Sequence, residues 1–269
     1  DFQSWLAHCD ARHVVFEMRH GDALAAIDAT DATRTQPIER WAIDGDHPLA
    51  DASASNADAP GFDATGITGD DIALILYTSG TTGAPKGVTL THGNLLANAD
   101  AVVRYLALDE RDSVLSILAF YYAYGASVLH THLMSGGCVV LAQNLLFPHL
   151  LMDTIARERI TGFSGVPSTF ALLLERVKLA DYDLSSLRYL TQAGGAMSPV
   201  LTRRLRAALP HARLFVMYGQ TEATSRLTWL PPERLDEKLG AVGIPVDGVE
   251  LRIVREDGRD ADLGETGEV

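Results

Sequence analysis

The 269-residue sequence contains little cysteine, no excess of positive charge and no long apolar run. Its two cysteines, Cys9 and Cys138, match neither a disulfide framework nor the spacing of a metal site, so we expect the protein to reside in a reducing compartment. Residues 113–152 contain no charged side chain, but glycines, Pro148 and three histidines interrupt the stretch. Since no segment provides about 18 consecutive apolar residues, we predict buried helices and strands there and no stable membrane insertion.

The formal net charge is −13, and residues 1–72 hold 14 acidic residues but only four arginines. An acidic surface repels nucleic acid and anionic lipid, so neither is an expected partner. The start, Asp1–Ser4, has no basic region of the kind found in signal peptides, which favours a cytoplasmic location. It also lacks an initiator methionine, so we expect the chain to begin within a longer protein.

Short apolar runs alternate with helical patterns after an Asp-, Ala-, Ser-, Gly- and Pro-rich connection at residues 42–70. The alternation predicts parallel strands joined by crossover helices, hence an α/β fold. Strands are expected at 72–77, 114–117, 138–141, 160–164, 187–190 and 213–217. Helices are expected at 95–108 with Asn94 as N-cap, near 125–134, at 155–158, at 168–178 after Pro167, and at 199–208. Beyond residue 241 the pattern becomes β-rich, and residues 249–254 alternate as a strand does.

The run Thr78–Gly87 contains three glycines, four hydroxyl side chains and one lysine, and it follows the first apolar run. Such a loop between a strand and a helix suits phosphate, because glycine lets backbone N–H groups approach the anion while hydroxyls and lysine add donors. Only two residues separate Gly80 from Gly83, and Lys86 precedes Gly87, so the common nucleotide-triphosphatase loop is excluded. The alternative is a flexible surface loop that is merely rich in glycine and threonine.

This loop resembles that of the adenylate-forming, or AMP-binding, superfamily, which includes acyl-CoA synthetases, adenylation domains and luciferases. Two further segments carry the same resemblance in the same order, Gln192–Pro199 and Met217–Glu222, as do the tail segments 240–245 and 264–269. The resemblance implies the layered parallel-sheet core of that family's N-terminal domain. We expect an N-terminal remnant and linker at 1–65, the nucleotide- and acyl-binding core at 66–238, and the start of a small β subdomain at 239–269.

The resemblance also implies a role for each motif residue. ATP, Mg²⁺ and a carboxylic acid would bind, with CoA as co-substrate, and Lys86, Thr221 and Glu222 would be catalytic. The β- and γ-phosphates would be held by Thr78, Ser79, Gly80, Thr81, Thr82, Gly83 and Lys86. Thr221 would contact the α-phosphate, and Glu222 would hold Mg²⁺, which prefers oxygen ligands. The adenine would contact Gly194, Gly195, Ala196, Tyr218 and Gly219.

The segment Ala119–Gly125 occupies the place where the family lines its acyl pocket. Acyl-CoA synthetases often carry Pro-x-Phe-His-x-x-Gly there, whereas this chain has Ala119 at the proline position and Tyr122 at the histidine position. Amino-acid-activating relatives place an aspartate here, and this chain has no acid between Asp112 and Asp153. An acid without an α-ammonium is therefore favoured, bound in a pocket for an uncharged chain formed by Tyr122, Tyr124, Gly125 and Gly165. The tyrosines could instead simply pack.

The family's ribose-binding aspartate and C-terminal domain, with its adenylation lysine, have no counterpart in this sequence. We therefore expect a fragment of the large N-terminal domain that alone forms no thioester. Three hypotheses stay open: the core of an acyl-CoA synthetase, a domain that loads a carrier protein, and a non-catalytic nucleotide-binding fragment. Pyrophosphate exchange separates the third from the others, and the choice of thiol acceptor separates the first two.

Overall fold

The computed structural model describes residues 13–16, 39–42, 65–78, 86–142 and 145–269. The chain divides into two compact units, Asp1–Ile67 and Thr68–Val269. In the first unit, β1 (His13–Phe16) pairs in parallel with β2 (Glu39–Ala42). The boundary near residue 238 between the core and the small β subdomain remains a prediction.

The second unit contains a seven-stranded sheet in which five consecutive strands, ending at one edge, are parallel. These strands are β5 (Ser113–Ser116), β6 (Cys138–Leu141), β7 (Gly162–Gly165), β8 (Tyr189–Gln192) and β9 (Arg213–Tyr218). Two short antiparallel strands, β10 (Thr228–Leu230) and β11 (Ile244–Pro245), extend the edge beyond β9. The order is β11-β10-β9-β8-β7-β5-β6, and the α/β fold with a mostly parallel sheet is confirmed.

A separate two-stranded antiparallel sheet pairs β3 (Ile72–Thr78) with β4 (Lys86–Thr91). Helix α1 (His92–Leu106) follows directly. The remaining helices are α2 (Ala123–Met134), α3 (Pro148–Glu158), α4 (Pro167–Arg176) and α5 (Pro199–Ala208). In the part of the chain that the structure describes, no helix is both long and apolar enough to cross a bilayer.

Helices cover both faces of the large sheet. Successive residues of a strand point to opposite faces, so each central strand contributes side chains to both helical layers. In β9, Leu214 and Val216 pack into the core formed with α3, α4 and α5. Phe215 and Met217 point the other way, into a smaller cluster with Val102 and Leu106 of α1. This double coverage explains why the parallel strands read as continuous apolar runs rather than alternating ones.

Capping residues fix where the helices begin, and they correct two predicted starts. Helix α1 begins at His92 with Thr91, not Asn94, as N-cap. The Thr91 hydroxyl accepts from Asn94 N at 3.2 Å, while Asn94 Oδ1 accepts from Thr91 N at 3.0 Å. Asn94 thus completes a capping box from the third helical position. Pro167 begins α4 rather than preceding it, since proline at the first helical position loses no intrahelical bond.

The strand predicted at residues 249–254 is absent as a regular element from the described chain. Val254 alone forms bridges, to Asp260 and Glu268. The ordered β pairing of this region is instead the short β11, which joins the large sheet through β10. Alternation of apolar and polar residues did not predict a strand correctly here. A strand also needs a neighbouring strand whose backbone N–H and C=O groups are free to pair with it.

Candidate active site

Four of the predicted site segments leave neighbouring parallel strands at the same edge of the sheet. Residues 119–125 follow β5, Gly165 ends β7, Gly194–Ala196 follow β8, and Tyr218–Glu222 end and follow β9. Carboxyl ends of parallel strands lie together, and ligands of open α/β sheets bind at that edge. The fold therefore brings to one edge segments that are separated by up to about a hundred residues in sequence.

The predicted phosphate loop connects β3 to β4, so a second strand separates it from α1. Thr78 and Lys86 are register partners at the end of this hairpin, whereas Ser79, Gly80, Thr81, Thr82 and Gly83 lie outside the described residues. Only Leu76 of β3 is fully buried, so the predicted buried strand is half-buried. Since β4 rather than a helix follows this segment, no helix N-terminus lies at its end.

The strand that begins with Lys86 lies beside the turn that carries Glu222, with Cα atoms of β4 and residues 221–223 within 8 Å. That turn is a single 3₁₀ turn, Thr221–Ala223, between β9 and β10. Leu227 N donates to Tyr218 O at 2.9 Å and closes the connection as a hairpin. The phosphate-loop hairpin and the predicted metal-binding acid thus lie on the same side of this unit.

Gly219 is needed at the base of the Glu222 turn, because the chain folds back on itself there. A Cβ atom at this position would lie 1.6 Å from Ser225 O. Glu222 is exposed and forms no ion pair or hydrogen bond within the described part of the chain. Its carboxylate is consequently available to a ligand, and Thr221 beside it is only partly buried.

The glycine loop after β8 exposes its backbone at the same sheet edge. Gly194 has φ +79°, a left-handed conformation that favours glycine, and Gly194, Gly195 and Ala196 are all exposed. Gln192 anchors the loop, since its Nε2 donates to Gly195 O at 2.7 Å. Its Oε1 is buried and has no hydrogen-bond partner in the described structure, which leaves an acceptor directly beneath the loop.

The predicted pocket residues have different surroundings. Tyr122 is 64% exposed at the N-cap of α2, whereas the Tyr124 hydroxyl forms a 2.9 Å hydrogen bond with Thr191 Oγ1. Gly125 and Gly165 are buried, and a Cβ atom on Gly125 would lie 2.2 Å from Ala119 O. Gly125 therefore permits the sharp entry into α2. Burial raises the pKa of Tyr124, and the nearby Arg226 partly opposes that shift.

Arg226 contacts the predicted pocket segment, and sequence reasoning did not single it out. Its side chain is buried, its guanidinium carbon lies 4.9 Å from the centroid of the Tyr124 ring, and its Nη1 donates to Ser127 Oγ. Nothing in the local sequence distinguishes this arginine from a surface residue of a turn. Its position became evident only when the fold brought the β9–β10 hairpin against α2.

The sequence model of the AMP-binding enzyme family matches residues 2–269. Feruloyl-CoA synthase of Amycolatopsis sp is 33% identical over 267 residues, which cover 98% of this chain and 50% of that protein. 2-Succinylbenzoate–CoA ligase of Bacillus velezensis is 36% identical over 204 residues, covering 76% of this chain and 40% of that protein. The chain thus spans about half the length of the curated relatives it matches.

Solved structures agree with these sequence relatives. O-Succinylbenzoate Coenzyme A synthetase (MenE) from Bacillus subtilis, in complex with ATP and magnesium ion, superposes with a TM-score of 0.80 at 26% identity, covering 98% of this chain and 51% of that one. The ATP-bound RpMatB-BxBclM chimera B3 gives a TM-score of 0.82 at 29% identity, with coverages of 98% and 51%. The chain therefore belongs to the AMP-binding family of adenylate-forming enzymes.

Proposed function

We propose that the protein that carries this chain activates a carboxylic acid with ATP and transfers the acyl group to CoA. The observation that supports this most is the convergence of the four site segments at the carboxyl edge of the sheet, with the Lys86 strand beside the Glu222 turn. The relatives named as CoA ligases favour CoA as acceptor. A cytoplasmic location, where ATP and CoA are both present, remains part of the proposal.

The reaction has two steps. A carboxylate oxygen of the acid attacks the α-phosphorus of ATP, the bond to the β-phosphate bridging oxygen breaks, and pyrophosphate leaves with its electron pair. The thiol sulfur of CoA then attacks the acyl carbonyl carbon, the thiol proton is lost, and AMP leaves to give the thioester. The first step joins two anions, so the site must neutralise charge and hold the reacting atoms in line.

The residues that would serve the first step are those the sequence singled out. Thr78, Lys86 and the loop between them would hold the β- and γ-phosphates, and Thr221 would contact the α-phosphate. Tyr218 and the backbone of Gly194, Gly195 and Ala196 would hold the adenine. Lys86 suits this role as a mobile positive charge at the base of a glycine-rich loop.

Glu222 fits the requirement for a magnesium ligand, because its carboxylate is exposed and unpaired within the described residues. Across the same residues no group of three or more His, Cys, Asp or Glu side chains could form a metal site on protein ligands alone. Mg²⁺ in nucleotide enzymes commonly binds one or two carboxylates together with substrate phosphates. When bound, the ion would neutralise phosphate charge.

The test is pyrophosphate release by the full-length gene product, with ATP, Mg²⁺ and a panel of carboxylic acids. We expect acid-dependent release, and formation of an acyl-CoA on addition of CoA, detected by mass spectrometry. A panel without any acid-dependent release would overturn the proposal. Acyl transfer to a phosphopantetheinylated carrier protein but not to CoA would retain the first step and reassign the acceptor.

A further inference from the structure

The turn that carries Glu222 contains a strained residue, Thr224. Its backbone has φ +71° and ψ −45°, and Ser225 N donates to Ala223 O at 2.8 Å across it, which makes a γ-turn of the rare, strained form. The other non-glycine residues with positive φ in the described chain are helix C-caps in the ordinary left-handed conformation. A β-branched side chain is disfavoured at positive φ, so neighbouring contacts must hold Thr224 in this conformation.

The side chain of Asn98, on α1, supplies such a contact. Its Nδ2 donates to Arg226 O at 2.7 Å, and Arg226 N donates to its Oδ1 at 3.5 Å, the limit for a hydrogen bond. Packing alone does not fix the turn, because Thr224 and Asn98 both border a cavity of about 10 Å³, room for about one water. One amide side chain therefore holds the backbone two residues after Thr224.

Arg226 is a fixed point because its backbone and its side chain are held by different helices. Asn98 holds the backbone from α1, whereas the buried guanidinium lies over the Tyr124 ring and its Nη1 donates to Ser127 Oγ, both on α2. Glu222 precedes this fixed point by only four residues. The position of its carboxylate therefore depends on where Arg226 is held.

Asn98 also lies on the helix that continues the Lys86 strand. Helix α1 begins directly after β4, and backbone hydrogen bonds tie its start to the segment before β3, the shorter of them from Gly93 N to Gly69 O at 2.7 Å. The hairpin and the first turns of α1 are thus joined at both ends of the hairpin. The Asn98 side chain consequently links the element that carries Lys86 to the turn that carries Glu222.

We propose that Asn98 is a positioning residue for adenylation: by holding the backbone of Arg226, it sets the Glu222 carboxylate relative to Lys86 for binding of Mg²⁺ with ATP. This inference rests on the proposed function of the site. Asn98 acts through the turn and needs no contact with substrate. Small displacements matter in such a site, since a misplacement of about 1 Å can cost about 10²-fold in rate.

The experiment measures the Mg²⁺ concentration that gives half-maximal pyrophosphate release by the full-length gene product at a fixed ATP concentration. The variants are Asn98→Ala and Asn98→Leu, and leucine fills the volume of asparagine without forming either hydrogen bond. We expect both variants to raise this concentration by about fivefold or more, the factor that corresponds to one lost hydrogen bond. A Mg²⁺ requirement within about twofold of wild type in the variants that fold would overturn the inference.

Ser186→Ala is the matched control. Ser186 Oγ donates to Ile160 O at 2.8 Å, which is also a bond from a partly buried side chain to a distant backbone carbonyl. It precedes β8, however, and so lies at the opposite edge of the sheet from the candidate site. Its loss should lower the melting temperature, as the loss of Asn98 does, but leave the Mg²⁺ requirement unchanged. An equal rise in both variants would mean that the requirement merely follows stability, against the inference.

A double-mutant cycle tests whether Asn98 acts through Glu222. In the Glu222→Gln enzyme the proposed metal ligand is already weakened, so Asn98→Ala should change the Mg²⁺ requirement there by less than about twofold. Residues that act through one another show such non-additivity, whereas independent ones do not. The same fold-change in both backgrounds would show that Asn98 works independently of Glu222 and would refute the positioning role.

A second readout separates this inference from the proposed function. ATP with Mg²⁺ should raise the melting temperature of the wild type more than ATP with EDTA does, because a ligand stabilises the state that binds it. We expect Asn98→Ala to reduce this difference and Ser186→Ala to retain it. If no acid supports pyrophosphate release but the Asn98-dependent difference is present, the function fails and the positioning role stands. Absence of both effects in the wild type would refute both proposals.

Discussion

A Cβ atom on Gly219 would lie 1.6 Å from the carbonyl oxygen of Ser225 and 2.6 Å from its carbonyl carbon. The close approach of these two residues holds the turn of Glu222 against the end of β9. Backbone atoms cannot move aside as the end of a flexible side chain can, so any side chain at 219 must open the hairpin. The position of Glu222 and of Arg226 therefore depends on the absence of a side chain at Gly219.

We predict that Gly219→Ala lowers the free energy of unfolding by about 1–3 kcal/mol, the usual cost of overpacking, and lowers adenylation more strongly because Glu222 moves. Thermal unfolding and pyrophosphate release measure the two effects. Gly69→Ala is the control, since its Cβ would meet its nearest atom at an ordinary 3.8 Å. A Gly219→Ala enzyme with wild-type turnover would show that the turn tolerates displacement.

We predict that Glu222→Gln lowers turnover by about 10²-fold or more while changing the free energy of unfolding by less than about 0.5 kcal/mol. An amide is a weaker magnesium ligand than a carboxylate, and neutralisation of phosphate charge is worth several kcal/mol. Stability should hold because Glu222 is exposed and has no ion-pair partner in the part of the chain described.

Glu175→Gln is the matched control for this prediction, since it removes an exposed carboxylate from α4. Turnover should be measured over a range of Mg²⁺ concentrations, because a lost metal ligand raises the concentration needed for half-maximal rate. Turnover of Glu222→Gln within about twofold of wild type would remove Glu222 from the catalytic residues.

The sequence predicted the core elements well where local signals agreed. Helix α5 has the predicted bounds, Pro199–Ala208, because Ser198 caps it and Pro199 suits its first position. The β9–β10 hairpin edge was not predicted, since β10 has only three residues and carries no alternation long enough to detect. Short edge strands are defined by their pairing partner rather than by their own pattern.

For the site, the sequence identified the segments that follow strands but not the contacts between them. Motifs such as Tyr218–Glu222 are local, so spacing reveals them. The role of Arg226 depends on Ser127, 99 residues earlier, and on the Tyr124 ring. Only the packing of α2 against the hairpin brings these side chains together, and no local pattern encodes that contact.

We predict that Asp112→Asn lowers the free energy of unfolding by about 2–4 kcal/mol. Asp112 is 5% exposed and accepts from Arg188 Nη2 at 2.7 Å, from Thr161 Oγ1 at 2.8 Å and from Asp109 N at 3.0 Å. Removal of one partner of a buried pair leaves the other charge uncompensated, which usually costs about 3–5 kcal/mol. The partial exposure of Arg188, 35%, reduces that cost.

Denaturant unfolding of the 269-residue chain measures this effect. Asp181→Asn is the control, because Asp181 pairs with Lys178 at 3.0 Å but is 57% exposed. An exposed pair of this kind contributes about 0–1 kcal/mol. Equal losses in the two variants would mean that the buried pair has no special importance for the fold.

The last prediction concerns the buried pair formed by His132 and Tyr189. His132 Nε2 lies 2.5 Å from the Tyr189 hydroxyl, and Nδ1 lies 2.8 Å from Val128 O. With Nδ1 donating to the carbonyl, Nε2 accepts from the tyrosine, which requires a neutral ring. Burial lowers the pKa of His132 and raises the pKa of Tyr189, so both groups are held in their uncharged forms at neutral pH.

The lowered pKa of His132 makes stability depend on pH below the ordinary histidine value of 6.5. As the pH falls through 6.5, the unfolded chain binds a proton before the folded chain does, so unfolding becomes more favourable. The contribution is fully present above 6.5 and is lost as the pH falls toward the folded-state pKa, by at most about 1.4 kcal/mol per pH unit. We predict that the free energy of unfolding of the wild type falls between pH 7 and pH 5, and that His132→Gln lacks this component.

His149→Gln is the control and should retain the wild-type slope, because His149 is an exposed histidine on α3. His130, whose pKa burial also lowers, is present in all three proteins and cancels in the difference. Carboxylates with lowered pKa, such as Asp183 bonded to Ser185, affect stability only below about pH 4. An identical slope in the wild type and His132→Gln would mean that His132 takes up its proton equally well in the folded chain.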